Sequence, residues 1–423
     1  MDDEFCPALN PEFSGEIAAR LTGQFALCLQ CSPHSFVLLR DRLGINKLFY
    51  ALSQEKDIWV SNYLADLIES GIPLDAISSV PAGGRVHIDC EKKELSLEQV
   101  SQLQRGQPFS NYAQAAQEIR SRLELWFARL ARQFRDRPIC LCLSGGLDSG
   151  LIASLTVKYF AEVIAYTYSY CGNGVPASED AKYARRLADL LKIPLRNVTA
   201  SADDITRVIT PALIHGQDWR EFNVHCAIVN ELLAEAIASD FQGRSPLILT
   251  GDLMNEFMAD YSSVTYEGKE YYSLPELDVQ RLRLVLIRGL DAGDREIGVF
   301  NHHGLSVVQP YNFVLDQYLR LSDDVFCGPT TKQDLVKALA GDLLPSFIFQ
   351  RTKVRAQIGD SDDVKGILPI LVDAGIDAAC LRSTFARLMK ANDAKTVDNL
   401  IRMGIYRYYS RFPTKTKDGF YVA

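Results

Sequence analysis

The stretch Leu141-Cys142-Leu143-Ser144-Gly145-Gly146-Leu147-Asp148-Ser149-Gly150 constrains this chain more than any other. The apolar run from Pro138 to Leu143 reads as a buried parallel strand. Residues Leu151 to Val157 read as a helix, and glycines make the turn between them. A strand that turns through glycines into a helix brings free backbone N–H groups and the positive helix end to one point, which suits phosphate. The glycines let the main chain approach an anion where a side chain would collide. Ser144 and Ser149 add hydroxyl donors. Asp148 repels a phosphate by itself, so its natural role is to hold Mg²⁺ against one. No Gly-Lys-Ser/Thr follows, which excludes a Walker loop, and no G-x-G-x-x-G is present at the turn.

A chain of 423 residues has room for two or three domains with real cores. A net charge of −8 argues against a nucleic-acid grip. No apolar run is long enough to span a bilayer, and Met1-Asp-Asp-Glu4 lacks the start of a signal peptide. The ten cysteines are scattered, and several sit in strand-like runs, as expected for reduced thiols in a cytoplasm. Cys28-x-x-Cys31 stands alone and reads as core cysteines.

Residues 1–105 are β-rich by pattern, with short strands at 24–29, 35–39, 48–52, 58–60 and 85–88. The polar stretch Gln102–Pro108 reads as a linker. From Tyr112 to Phe134, Ile119, Leu123, Trp126 and Leu130 recur at helical spacing and predict core packing. Strands at 138–143, 162–169 and 246–250 alternate with helices at 150–160 and 178–191. That order predicts a doubly wound parallel sheet with its ligand at the strand C-termini, where Ser144 and Gly251 lie. Residues 275–423 are mostly helical by pattern.

The hexad Ser144–Ser149 resembles the pyrophosphatase loop of enzymes that split ATP into AMP and pyrophosphate. Together with Gly251-Asp-Leu-Met-Asn-Glu256 and Arg351-Thr-Lys353 it resembles the asparagine synthetase superfamily, which includes β-lactam synthetases. Leu21–Ala26 and Leu39-Arg-Asp-Arg-Leu-Gly-Ile-Asn-Lys-Leu-Phe-Tyr50 look like the second half of that family's glutaminase domain. The resemblance implies an α/β chain. Residues 1–105 would be a degenerate glutaminase-like (Ntn-type) β-rich domain. Residues 106–423 would be an adenylating ATP-pyrophosphatase domain with a helical C-terminal part. The family's nucleophilic N-terminal cysteine has no match, since Asp2 follows Met1 and Cys6 stands before Pro7, so no glutaminase activity is expected.

What the resemblance implies for the rest is adenylation of a small carboxylate substrate by ATP, then its coupling to an amine in the same molecule, in a second substrate or in ammonia. A specialised-metabolite setting follows by family analogy alone. A non-catalytic nucleotide- or partner-binding descendant is the alternative. A homo-oligomer is compatible with either. In this family's pattern Leu143, Ser144, Gly145, Gly146, Asp148, Ser149 and Gly251 would hold ATP, and Asp148 would hold Mg²⁺. Lys353 would stabilise charge on the adenylate transition states. Asp252 either orients or deprotonates the amine or caps a helix starting at Leu253. Asn255 replaces the usual metal-binding aspartate, and Glu256 is the candidate to compensate. Ser306 and Val308 replace a glutamate and an arginine, Asn312 and Phe313 replace Leu-Asp, and His302 and His303 lie just upstream as potential bases or structural histidines. Arg220 and Asn223 are candidates for contact with substrate or phosphate and, in the favoured reading, capping and surface residues.

Overall fold

Short apolar runs punctuated by glycine and proline turns give an antiparallel N-terminal region. It comprises β1 (Ala26–Ser32), β2 (Ser35–Arg40), β3 (Phe49–Leu52), β4 (Ile58–Ser61), α1 (Leu64–Glu69), β5 (Ser78–Ser79), β6 (Gly84–Asp89) and β7 (Glu94–Gln99). The strands make a four-stranded sheet, β1-β2-β6-β7, and a three-stranded one, β4-β3-β5. Leu38 pairs across with Cys28 and Val86, and Leu38, Val86 and Ile88 are fully buried. Three elements escape a pattern reading, the first being β5, which spans two residues. β7 is exposed along its whole length, so its alternation buries no core, and α1 spans six residues only. Cys28 is exposed rather than in the core, as is Cys380.

The computed structural model describes residues 21, 23–52, 57–92, 94–100, 106–171, 177–273, 278–279, 282–283, 286, 295–322, 332–351, 356–359, 365–391, 414–415 and 421–422. Cys6, Lys353 and the 101–105 part of the linker lie outside the described residues.

The Arg40-Asp41-Arg42-Leu43-Gly44 motif is an internal strut. Buried Asp41 accepts from the backbone N–H groups of Phe25, Leu43, Ile45 and Asn46 at 3.1–3.3 Å. Arg40 donates to the carbonyls of Asn46 (2.6 Å) and Val80 (2.9 Å). Both buried charges are therefore satisfied by main chain, and the motif holds a turn. Gln24 ties the region to the rest: its amide donates to the Val307 carbonyl and accepts from the Gln309 N–H, both at 2.9 Å.

Helix α2 (Tyr112–Gln133) begins at Asn111, whose side chain accepts from the Gln114 N–H. Its Ile119, Leu123, Phe127 and Leu130 are buried, and Trp126 stacks on Phe313 at 4.5 Å, as core packing. Then follow β8 (Ile139–Cys142), α3 (Leu147–Tyr159), β9 (Val163–Tyr170), α4 (Glu179–Leu191), β10 (Leu195–Ala200), α5 (Ala202–Arg207), α6 (Ile209–His215) and α7 (Glu221–Asp240). Next come β11 (Leu247–Leu249), α8 (Met254–Phe257), β12 (Val264–Tyr266), β13 (Lys269–Tyr271), α9 (Ile297–His302) and β14 (Ser306–Val308). The helices α10 (Leu315–Leu319), α11 (Lys332–Ala340), α12 (Ser346–Phe349), α13 (Ile367–Asp373) and α14 (Ala378–Leu388) follow, and an antiparallel pair, β15 (Thr414–Lys415) and β16 (Tyr421–Val422), ends the described part.

The main sheet is the expected parallel one, in the order β10-β9-β8-β11-β14. Strand order reverses between β8 and β11, so the loops leaving those two strands diverge and open a crevice between them. The last strand, β14, comes from the part that reads as helical by pattern. It spans three residues, too short to show periodicity. α3 starts at Leu147, four residues ahead of the apolar run, because Gly146 supplies extended N-cap geometry and Asp148 favours the helix dipole. Asp148 and Ser149 therefore sit in the first helical turn.

Candidate functional site

The β8–α3 turn needs its glycines. Gly145 has φ +69°, and a Cβ there would lie 2.5 Å from the Ala184 nitrogen of α4. A Cβ on Gly251, after β11, would lie 2.5 Å from the Ser149 nitrogen. The two loops thus touch at the point where strand order reverses. Ser144 Oγ lies 3.0 Å from Ser149 Oγ, and the Ser144 N–H donates to Ser149 Oγ at 3.3 Å, which shapes the loop.

A cavity of about 610 Å³ opens over this junction. Leu143, Ser144, Gly146, Asp148, Ser149, Gly251, Asp252 and Asn255 all line it. Gly145 does not; its place is under the loop, against Tyr183 and Ala184. Glu256, expected beside a metal, is not among the lining residues. Its buried carboxylate accepts from Arg295 (2.6 Å) and the Tyr261 hydroxyl (2.8 Å). A carboxylate committed to a buried guanidinium and a phenol is a structural anion.

Five carboxylates, of Asp148, Asp180, Asp252, Asp260 and Glu296, face the cavity against three cations, Lys332, Arg295 and Arg351. Lys332 is the main residue that sequence reasoning misses. Its buried ammonium donates to Asp148 Oδ2 (2.6 Å), Asn255 Oδ1 and Asp260 Oδ2 (3.2 Å). Burial pulls its pKa down, but the Asp148 and Asp260 carboxylates outweigh this and raise it. Asp148 Oδ1 is buried with no hydrogen-bond partner. An all-oxygen donor set already gathered around a cation, with one carboxylate oxygen orphaned, fits a hard divalent ion such as Mg²⁺. Arg351 closes the other side: it donates to the Ser144 carbonyl at 3.0 Å, pairs with Asp180 and lies over the Tyr183 ring.

Asp252 makes no helix cap, since α8 has no side-chain cap bond. Leu253 takes φ +80°, a conformation that side chains rarely adopt, and the turn carries Asp252 into the cavity wall. Burial raises the Asp252 pKa, with Arg295 opposing and Glu256 and Asp148 adding to the rise. Glu296 is pushed up the same way, chiefly by burial. Both acids therefore hold a proton to higher pH than ordinary carboxyls.

The remaining candidates lie elsewhere. Ser306 is exposed at the start of β14, at the opposite end of the strand from the cavity. His302 and His303 pack against α6 and α7. Arg220 pairs with Asp218, which also accepts from Asn223 at 2.7 Å. That cluster is largely buried, where a surface position was expected.

Comparison with known proteins fits this geometry. Residues 120–286 match the asparagine synthase family. A glutamine-hydrolysing asparagine synthetase of Lotus japonicus is 24% identical over 248 residues, covering 57% of this chain and 40% of that protein. One from Sandersonia aurantiaca is 28% identical over 251 residues, covering 56% of this chain and 45% of that protein. The chain spans about two fifths of the length of these relatives. Among solved structures, an NMN synthetase from Francisella tularensis overlaps 68% of this chain and 92% of its own, at 14% identity and a TM-score of 0.33. The matched segment carries the glycine loop, the Gly251 turn and all strands of the main sheet except β14, and over that segment the chain is similar to the asparagine synthase family.

Proposed function

We propose that this protein is an ATP-dependent, AMP- and pyrophosphate-forming carbon–nitrogen ligase. The observation that carries the reading is the junction at the sheet's reversal point. There Gly145 and Gly251 are sterically required, and Asp148 presents an orphaned carboxylate oxygen beside an all-oxygen cation cluster.

In this reading the amides of 144–149 grip the outer phosphates of ATP, and Arg351 braces the loop through Ser144. Asp148, with Asn255 and Asp260, would hold Mg²⁺, which when bound neutralises the departing pyrophosphate. A substrate carboxylate oxygen attacks the α-phosphorus and forms an acyl-adenylate. A neutral amine then attacks the acyl carbon, and AMP leaves. Asp252 and Glu296 line the same cavity with pKa values raised chiefly by burial, and in this reading one of them receives the proton that the amine must lose. Lys353 keeps its proposed part as the electrostatic clamp on the adenylate.

A nucleotide-binding protein without catalysis has one observation in its favour: the Lys332 ammonium already neutralises Asp148. Pyrophosphate–ATP exchange separates the two. Exchange that depends on a carboxylic acid supports the ligase. ATP binding without exchange for any acid supports the binder, and ADP as product contradicts adenylation.

A further inference from the structure

Behind the cleft, on the far side of α7, four ring and carboxylate groups converge. Glu231 on α7 is fully buried. One of its oxygens lies 2.5 Å from His215 Nδ1 at the end of α6, and the other lies 2.8 Å from His303 Nε2, just past α9. The three donor atoms all stand within 4.8 Å of one another, and among the described residues no other such trio converges. His302 lies outside the trio; its ring stacks on His215 at 3.5 Å and 17°, and the Tyr63 ring meets it edge-on.

We propose that His215, His303 and Glu231 form a binding site for a divalent transition-metal ion, with zinc the best fit. Two imidazole nitrogens and one carboxylate are a donor set that zinc takes with an open fourth position. A carboxylate without exposure needs a cation, and here both oxygens are directed at imidazoles. Around zinc, with bonds of roughly 2.0–2.1 Å, neighbouring ligands stand roughly 3.3 Å apart. The contacts at 2.5 and 2.8 Å reach that spacing by opening roughly 0.5–0.8 Å, and the widest donor pair, within 4.8 Å, closes by roughly 1.5 Å at most, movements that side-chain rotation supplies. His302 lies flat on the His215 ring and limits its rotation. His303 is partly exposed, at 19%, and gives the ion a way in.

The three ligands come from three separate elements, so the ion would clamp α6, α7 and the end of α9. Asn230, the neighbour of Glu231, donates to the Arg295 carbonyl at 2.7 Å and lines the cleft. The clamp therefore steadies the cleft wall without touching it.

The test is metal retention by the full chain. The protein is stripped with chelator, dialysed against zinc, freed of excess and assayed for bound metal and melting temperature. The wild type is expected to keep about one zinc per chain and to melt higher with it. Glu231→Gln and His303→Ala lose both effects, while His302→Ala keeps the ion. Circular dichroism shows which variants are folded. If Glu231→Gln does not fold, the partly exposed His303→Ala carries the comparison. Wild-type retention no greater than that of a folded His303→Ala protein, zero included, overturns the proposal.

Discussion

Replacing Lys332 by methionine probes the cation cluster most directly. The ammonium lies 2.6 Å from Asp148 Oδ2, with both side chains at least four-fifths buried. At an effective dielectric of 20 that pair attracts by about 6 kcal/mol. Desolvation of the two ions returns several kcal/mol of this. Asp260 at 3.2 Å is 42% exposed, so solvent screening holds its share to about 1 kcal/mol or less. Removing one partner of a buried pair costs about 3–5 kcal/mol, and the partial exposure of Asp148 puts Lys332→Met at the lower end. Without divalent ions the variant should unfold at a clearly lower urea concentration than the wild type. Millimolar Mg²⁺ should restore about 2–3 kcal/mol if its concentration reaches a hundred times the dissociation constant. The wild type should gain less, since the ion must first displace the ammonium. Equal midpoints for both proteins in metal-free buffer, unchanged by Mg²⁺, would refute the assignment of this cluster as a cation site.

Gly251→Ala puts a Cβ 2.5 Å from the Ser149 nitrogen, so nucleotide affinity by calorimetry should fall at least tenfold while circular dichroism stays native. Arg351→Ala removes the brace on Ser144. Loss of a charged hydrogen bond of about 1.5–3 kcal/mol predicts a roughly ten- to hundredfold weaker grip on ATP, and an unchanged dissociation constant contradicts the brace. His225 is buried against the Tyr272 hydroxyl, and burial lowers its pKa to about 3. Its contribution to stability is complete above the unfolded value of about 6.5 and is lost as pH falls towards about 3. His225→Gln should therefore flatten the acid limb of stability against pH, and an unaltered limb argues against a neutral buried imidazole. Lys353→Ala should abolish pyrophosphate exchange yet leave ATP binding within a fewfold, and full retention of exchange removes that lysine from the chemistry.

The glycine loop was legible because its requirements are local. A strand, two glycines and a helix are adjacent in the chain, and each makes a steric or hydrogen-bonding demand that only certain residues meet. Three of the five strands of the parallel sheet were legible for the same reason, through runs of apolar residues, whereas β10, with Arg196, Asn197 and Thr199 among its six residues, and the three-residue β14 were not. Lys332 left no such trace. It opens an amphipathic helix after two threonines, where a lysine is ordinary, and only the fold brings it to Asp148, 184 positions earlier. The same holds for His215, Glu231 and His303, one on each of three elements, of which only the His302-His303 pair stands out in the sequence. Glu256 shows the reverse. Its motif position suggested a metal, yet Arg295, 39 residues on, claims its carboxylate in the interior.

The side chain of Gln24 reaches β14 with one donor and one acceptor, the same pair of groups that an adjoining strand would offer. β14 is the outermost strand of its sheet, and an uncovered margin of that kind invites pairing with another molecule. The antiparallel N-terminal region thus meets the border of the parallel sheet with a side chain in the place of a strand, and Gln24 occupies two of the main-chain groups that a second molecule would pair with.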